Sequence, residues 1–488
     1  MKNIYIILLS ITALLLYSCG TKDTVLIPDL PPADVSNIDP SYNVISYRDE
    51  LSIKPVVMDE DKYEYSWVLY STNRNVNEAA VPKGEVLATT KDLTYKIMNT
   101  PGNYILTFNV KNKLTQVTKI IRSDMTVTTL NMNGWYFLKD NGVTTDFDFI
   151  HKEGRIDNWI AFYNGGRSLQ GKAVKAVFST NFKNTLAGSD FFTVFMAASE
   201  QDAMILRVDN GKIVKDFDNM FFTKPAIRKV QNVLQPTAAN FLNLINNGKL
   251  YVMVKGALFA DPPVSNYVFS PVAAVGAVIL GFDNVTKTAI GFDNSNFTNP
   301  NSAATALKNM NAEPIWYGLY PGLRGAGLAL FRRADKDGFL VKLNATYGPL
   351  AGLSNSVIGS KTVPAAHSLM SADVIGGNYD ADYIYYAKGN LIYMTDYASL
   401  PESLQITLPA GEVVTCIQHV KYPLPATGVV STVDFLAIAT YTAGNYKVYL
   451  HPISSIGTIQ QLAKANYEGT GRISTIQYLE QGSGSRVF

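Results

Sequence analysis

Phe435-Leu436-Ala437-Ile438-Ala439-Thr440-Tyr441-Thr442-Ala443-Gly444-Asn445-Tyr446-Lys447-Val448-Tyr449 reads as strand, tight turn, strand. Apolar and aromatic residues fill the arms, and a glycine beside asparagine accepts the positive φ that a two-residue hairpin turn demands. The same phrase recurs. Tyr383 to Tyr386 precedes Gly389-Asn390-Leu391-Ile392-Tyr393, and shorter copies stand at Gly211-Lys212-Ile213-Val214 and Gly248-Lys249-Leu250-Tyr251. Further turn signals fall at Asn133-Gly134, Asn141-Gly142, Asn164-Gly165, Asn210-Gly211 and Asn247-Gly248. Strand, turn, strand at intervals of about 40 to 50 residues is the rhythm of propeller blades. Over the region 129–488 that spacing predicts seven or eight blades, with tandem β-sandwiches as the competing arrangement. A closed ring buries both faces of every sheet and shields its edges. Thr237 to Asn246 is the one stretch that suits a short helix or a polar loop.

Upstream, region 41–128 alternates at period two. Tyr63, Tyr65 and Trp67 share one face, as do Tyr104, Leu106, Phe108 and Val110, with Pro101-Gly102-Asn103 as the turn into the second set. The pattern predicts a small β-sandwich, so the fold class is all-β throughout. Composition agrees. Tyr 28 and Phe 23 are abundant, and charged residues are only 17%, where soluble proteins average about 25%. Lys+Arg 42 against Asp+Glu 40 leaves +2, which points to no nucleic-acid partner.

Residues 1–18 read as an export signal. Lys2 is followed by an apolar run from Ile4 to Tyr17, too short to span a bilayer. Leu16-Tyr17-Ser18-Cys19 resembles a lipobox, so Cys19 is the expected lipidation site and mature N-terminus. Residues 19–40 hold Pro28, Pro31, Pro32 and Pro40 among polar residues, the composition of an extended tether. Lys22-Asp23 weakly resembles the export signals of surface lipoproteins in the Bacteroidota. With Cys19 acylated, Cys416 has no intrachain partner, and the exported fold must rest on its core rather than a disulfide.

Tyr65-Ser66-Trp67 followed by Gly102-Asn103-Tyr104-Ile105-Leu106 resembles the PKD type of immunoglobulin-like domain, although Ser71-Thr72-Asn73-Arg74 replaces the usual Gly-Asp-Gly turn. Lipobox, tether, Tyr-x-Trp sandwich and then Gly134-Trp135-Tyr136-Phe137-Leu138 together resemble the PKD-like lipoproteins of the Bacteroidota. That resemblance implies an outer-membrane lipoprotein at the cell surface. It implies an accessory role beside a SusC/SusD-type nutrient importer, with a peptide or glycan as ligand, and it implies no catalytic residues.

No motif assembles a catalytic centre, and no cofactor or metal site is expected. His151, His367, His419 and His451 form no close pair. Cys416 lies in an apolar strand and reads as a buried thiol. Asp146 and Asp148 flank Phe147 and share a strand face near His151. They suit either a solvated strand edge or the paired carboxylates of a glycan- or peptide-active hydrolase. Asp335-Lys336-Asp337-Gly338 suits a hairpin turn, and Gly322 to Gly327 lacks the following helix of a nucleotide loop. Trp316, Tyr317, Tyr320 and Arg324 form the densest aromatic group and are the expected ligand-binding residues. The leading expectation is therefore a binding protein rather than an enzyme. A propeller hydrolase and an adhesin or structural envelope protein are the alternatives.

Overall fold

The computed structural model describes residues 33–72, 83–184, 191–235, 242–253, 257–262, 266–275, 279–292, 301–302, 305–319, 327–343, 357–379, 381–422 and 433–480. The lipobox and most of the expected tether lie outside these residues.

The N-terminal unit is a β-sandwich. Its main sheet runs Ser41–Ile45, Thr118–Thr128, Gly102–Asn112, Tyr63–Ser71 and Glu85–Ala88, the first pair parallel and the rest antiparallel. Glu50–Ile53 with Leu93–Lys96 faces it. Val35–Ser36 already pairs with Val56–Val57, so sheet structure begins ahead of residue 41. Period-two alternation turns Trp67, Leu69, Leu106, Phe108 and Val110 inward. Trp67 stacks on Phe108 at 4.5 Å, and its indole N–H donates to the Lys91 carbonyl at 3.0 Å. The Tyr-x-Trp strand and the later glycine-led strand are thus direct neighbours.

From Gly134 onward the described residues form seven antiparallel sheets. Blade 1 is Gly134–Asp140, Thr144–His151 and Gly154–Ile156, and its innermost strand is the last of the chain, Arg472–Leu479. The innermost strands of blades 2 to 7 are Ala173–Lys183, Val230–Leu234, Ala274–Val275, Ala312–Leu319, Val374–Gly376 and Val413–Tyr422. Each is the first strand of its sheet, and three further strands follow it outward, two in blade 3. A distinct apolar cluster fills each of the seven seams. Ala176 and Phe195 join blade 2 to Tyr136 and Phe147 of blade 1. Ile417 and Leu436 join blade 7 to Tyr385 and Ile392 of blade 6, and Val420 and Ala437 join it to Phe137 and Ile476 of blade 1. Seven filled seams make a closed, seven-bladed propeller, with one C-terminal and three N-terminal strands sharing the closing blade.

Turn chemistry explains the hairpins. Asn247 and Gly248 sit at φ 48° and 71°, and Ala443 and Gly444 at 47° and 88°, the double positive φ of a type I′ turn. Asp335 to Gly338 also closes a hairpin, with Lys336 at φ 72°. The expected helix or loop near 237–246 resolves in part as a strand, Asn243–Asn246, and residues 236–241 lie outside the described ones.

Lys175 is an exception to good seam packing. It opposes Ala198 on the face of blade 2 that meets blade 3, half-buried and without a partner among the described residues. Burial pushes its ammonium down to about 8 from 10.5. The folded state therefore binds fewer protons than the unfolded one between those values. The penalty is complete below pH 8 and vanishes as pH rises past 10.5. Lys175→Met is expected to raise the unfolding free energy at pH 7 by about 2 kcal/mol, allowing for water at the half-buried chain. Urea titrations at pH 7 and near pH 10.5 check this, since the gain must shrink at the higher pH.

Candidate functional site

A cavity of about 480 Å³ opens in the seam where blade 7 meets the closing blade. Lys139, Asp140, Asp146 and Ser168 line one side, and Tyr441 and Gly471 line the other. The turn after Asp140 folds Gly134–Asp140 back on Thr144–His151, which sets Lys139 opposite Asp146 and Phe137 opposite Asp148. Phe147 and Phe149 turn toward blade 2, so Asp146 and Asp148 both turn toward blade 7.

The shared face of the two aspartates is real, but it is no solvated edge. Asp146 is 5% exposed and Asp148 is fully buried, because blade 7 covers the strand. Asp146 works as a cap. Its carboxylate accepts the N–H groups of Phe147, Ile160 and Ala161 at 2.7, 2.7 and 3.1 Å and the Ser168 hydroxyl at 2.6 Å. Two of those donors begin the short helix Trp159–Tyr163, whose first N–H groups have no partner within the helix. Burial outweighs these hydrogen bonds and holds the Asp146 carboxyl above its usual range. Asp148 instead receives Lys139 Nζ at 2.9 Å, Arg155 Nη2 at 2.6 Å and the Tyr446 hydroxyl at 2.8 Å. Burial and the adjacent Asp148 push the Tyr446 hydroxyl far up, so it stays a donor. His151 does not join the pair. Its ring stacks on Phe149 at 5.1 Å, and Nδ1 accepts the Glu153 N–H.

The aromatic group around Trp316 divides. Trp316 and Tyr317 are consecutive on the innermost strand of blade 5, so their rings turn to opposite seams. Tyr317 packs toward blade 4, 5.7 Å from the Phe331 ring. Trp316 packs toward blade 6 and lies so close over Gly318 that a Cβ there would meet it at 2.1 Å. Tyr320 and Arg324 lie outside the described residues.

The other histidines are structural fasteners. His419 Nδ1 accepts the Tyr379 N–H at 2.7 Å, and Nε2 contacts Asp434. Burial raises the Asp434 carboxyl, but His419 and Lys421 outweigh it and hold the group below its usual range. His367 Nδ1 accepts the Leu369 N–H at 3.1 Å. Cys416 is buried, its thiol donating to Gln418 Oε1 at 3.1 Å, and burial pushes it up to about 12. Among the described residues no group of three or more His, Cys, Asp or Glu side chains is placed to hold a metal ion.

Lys139, Ser168 and Gly471 of the pocket lining belong to none of the motifs read in the sequence. Lys139 was within reach of sequence, since centring a hairpin on Asn141-Gly142 sets it opposite Asp146.

Two solved structures are similar to the chain at low identity. A quinonprotein alcohol dehydrogenase-like protein from Bacteroides thetaiotaomicron is 13% identical, over 92% of this chain and 99% of that one, with a TM-score of 0.46. A DUF4784 family protein from Bacteroides caccae is 9% identical, over 78% and 97% of the two chains, with a TM-score of 0.32. Neither likeness bears on chemistry. No curated protein matches the chain. Residues 28–176 match the PKD-like family, a stretch holding the whole sandwich and the first three strands of the closing blade, so the N-terminal part of this chain carries a PKD-like domain.

Proposed function

We propose that the chain is a lipid-anchored envelope protein whose propeller binds a ligand or a partner, with the sandwich as its spacer. One geometric observation carries the reading. The chain enters the sandwich at one end and leaves it for the propeller at the other. Lys119 Nζ donates to the Ala33 carbonyl at 2.7 Å, beside the start of Thr118–Thr128. That strand runs to Thr128, and Leu130 and Met132 then pack against the cluster of blades 1 and 2. Tyr47 meets Tyr163 at 4.7 Å, and Arg48 pairs with Glu153 at 2.5 Å. Asn131 fixes the connection by accepting from Trp159 Nε1 and the Tyr163 hydroxyl at 3.2 and 3.1 Å. A tether from Cys19 would place the sandwich between its attachment point and the propeller.

The proposed outer-membrane partner is a SusC/SusD-type importer, and the proposed ligand is a peptide or glycan. Binding is favoured over catalysis because the Asp146 and Asp148 oxygens are committed to holding strands and helix together. Detergent extraction of native membranes, affinity capture of the full chain and mass spectrometry of its mature N-terminus test the reading. The expected result is a diacylated Cys19 and co-recovery of an importer component. An unmodified terminus, or recovery alone, counts against it.

A hydrolase remains the second reading because Asp146 is a pocket carboxyl raised by burial, the property of a general acid. Turnover from a panel of glycans and peptides, lost in Asp146→Asn while the fold persists, would establish it.

A further inference from the structure

The end of the sandwich remote from the propeller carries an apolar tip. The hairpin between Gly102–Asn112 and Thr118–Thr128 places Leu114 at 91% exposure and Val117 at 61%. The tip is held firmly. Asn112 Oδ1 accepts the N–H groups of Leu114 and Thr115 at 2.9 and 3.1 Å, and the Gln116 N–H donates to the Asn112 carbonyl at 2.9 Å. Met58, 64% exposed, belongs to the same end. Its N–H donates to the Asp34 carbonyl, while Lys113 ties the hairpin to the adjoining turn through the Lys62 carbonyl at 2.9 Å and the Asp61 carbonyl at 3.0 Å. Two nearby acids are paired: Asp59 with Lys62 at 2.7 Å and Glu60 with Lys91. A rigid apolar tip with balanced charge around it is the form of a surface that meets lipid rather than water.

We infer that this tip, Leu114 and Val117 with Met58 beside them, rests in the interface of the bilayer that carries the anchor. The inference stands on the proposed lipidation at Cys19. Thirteen residues separate Cys19 from Ala33, and a chain that long reaches at most roughly 45 Å. The Ala33 carbonyl is held by Lys119 at the base of the same hairpin. The leash therefore joins the body at this end of the sandwich, the end remote from the propeller. With Asp59 and Glu60 each paired to a lysine, contact depends chiefly on insertion of apolar side chains.

The test uses the full lipidated protein in phosphatidylethanolamine and phosphatidylglycerol vesicles containing brominated lipid. Leu114→Cys carries an environment-sensitive fluorophore, and Ile456→Cys, 66% exposed on the propeller, carries the same dye as control. Cys416 is buried and does not compete for label. The expected result is flotation of both proteins with the vesicles and quenching at position 114 by at least about two-fold, with none at 456. Flotation with equal signals at both positions overturns the inference and leaves the anchor standing. Failure to float, with an unmodified terminus, overturns the anchor and this contact together.

Discussion

Asp148→Ala is expected to lower stability by about 3–5 kcal/mol and to loosen the ring where its two ends meet. The carboxylate is fully buried and is the shared acceptor of Lys139, Arg155 and Tyr446. Lys139 belongs to the first strand of the closing blade, Arg155 to its outermost strand and Tyr446 to blade 7. Removing the acceptor strands the Lys139 ammonium, whose side chain is only 9% exposed, and the Tyr446 hydroxyl. A buried charge without its partner is far more destabilising than the intact pair is stabilising. Arg155 suffers least, being 30% exposed and able to turn to water. Asp148→Asn keeps the shape and loses the charge, and it should fall between the wild type and Asp148→Ala. The double change Asp148→Leu with Lys139→Met should recover much of the loss, since an apolar pair of similar volume needs no desolvation. Urea denaturation of the four proteins measures this. A loss below 1 kcal/mol in Asp148→Ala would mean that water already reaches the site.

How far this seam was legible in the sequence follows from which interactions are local. Type I′ turns are local: Asn247-Gly248 announces itself because few residues tolerate positive φ, whereas the turn read at Gly444-Asn445 falls one residue earlier, at Ala443-Gly444, with Asn445 already in the strand. Period-two alternation is local as well, and it put Asp146 and Asp148 on one face and Trp67 with Tyr65 on another. Alternation does not say what covers a face. Tyr446 lies 298 positions from Asp148, and only ring closure brings blade 7 over the strand, so a solvated edge and a buried latch look identical from Thr144 to His151. The helix Trp159–Tyr163 was hidden for a related reason. Its sequence is aromatic and strand-like, and Asn158 ahead of it makes no side-chain cap; the capping carboxylate arrives from Asp146 on a neighbouring strand. The Trp316 group is a different case. Adjacency in sequence suggested one surface, whereas consecutive strand residues must face opposite seams.

Acid should weaken the fold through His451. The side chain is fully buried in blade 7, its ring stacked on Tyr449 at 5.5 Å. Nδ1 lies 3.1 Å from the Gln460 carbonyl and 3.2 Å from the Leu462 N–H, while Nε2 has no hydrogen-bond partner among the described residues. Protonation would drive a second N–H into that unpartnered space, and burial accordingly lowers the imidazole to about 4 from 6.5. Between those values the unfolded chain takes up a proton that the folded chain refuses. The stabilisation is complete above pH 6.5 and is lost as pH falls through 4, by about 3 kcal/mol in all. In His451→Asn, which carries no titrating group, that share of the pH dependence should disappear. The readout is the difference between variant and wild type at pH 7 and at pH 4.5, because the carboxylates titrating in the same range are common to both. The variant should be the weaker protein at pH 7, through lost packing on Tyr449, and should close most of that gap at pH 4.5. Parallel profiles would show that His451 is as readily protonated in the fold as in the open chain, and that water reaches Nε2 after all.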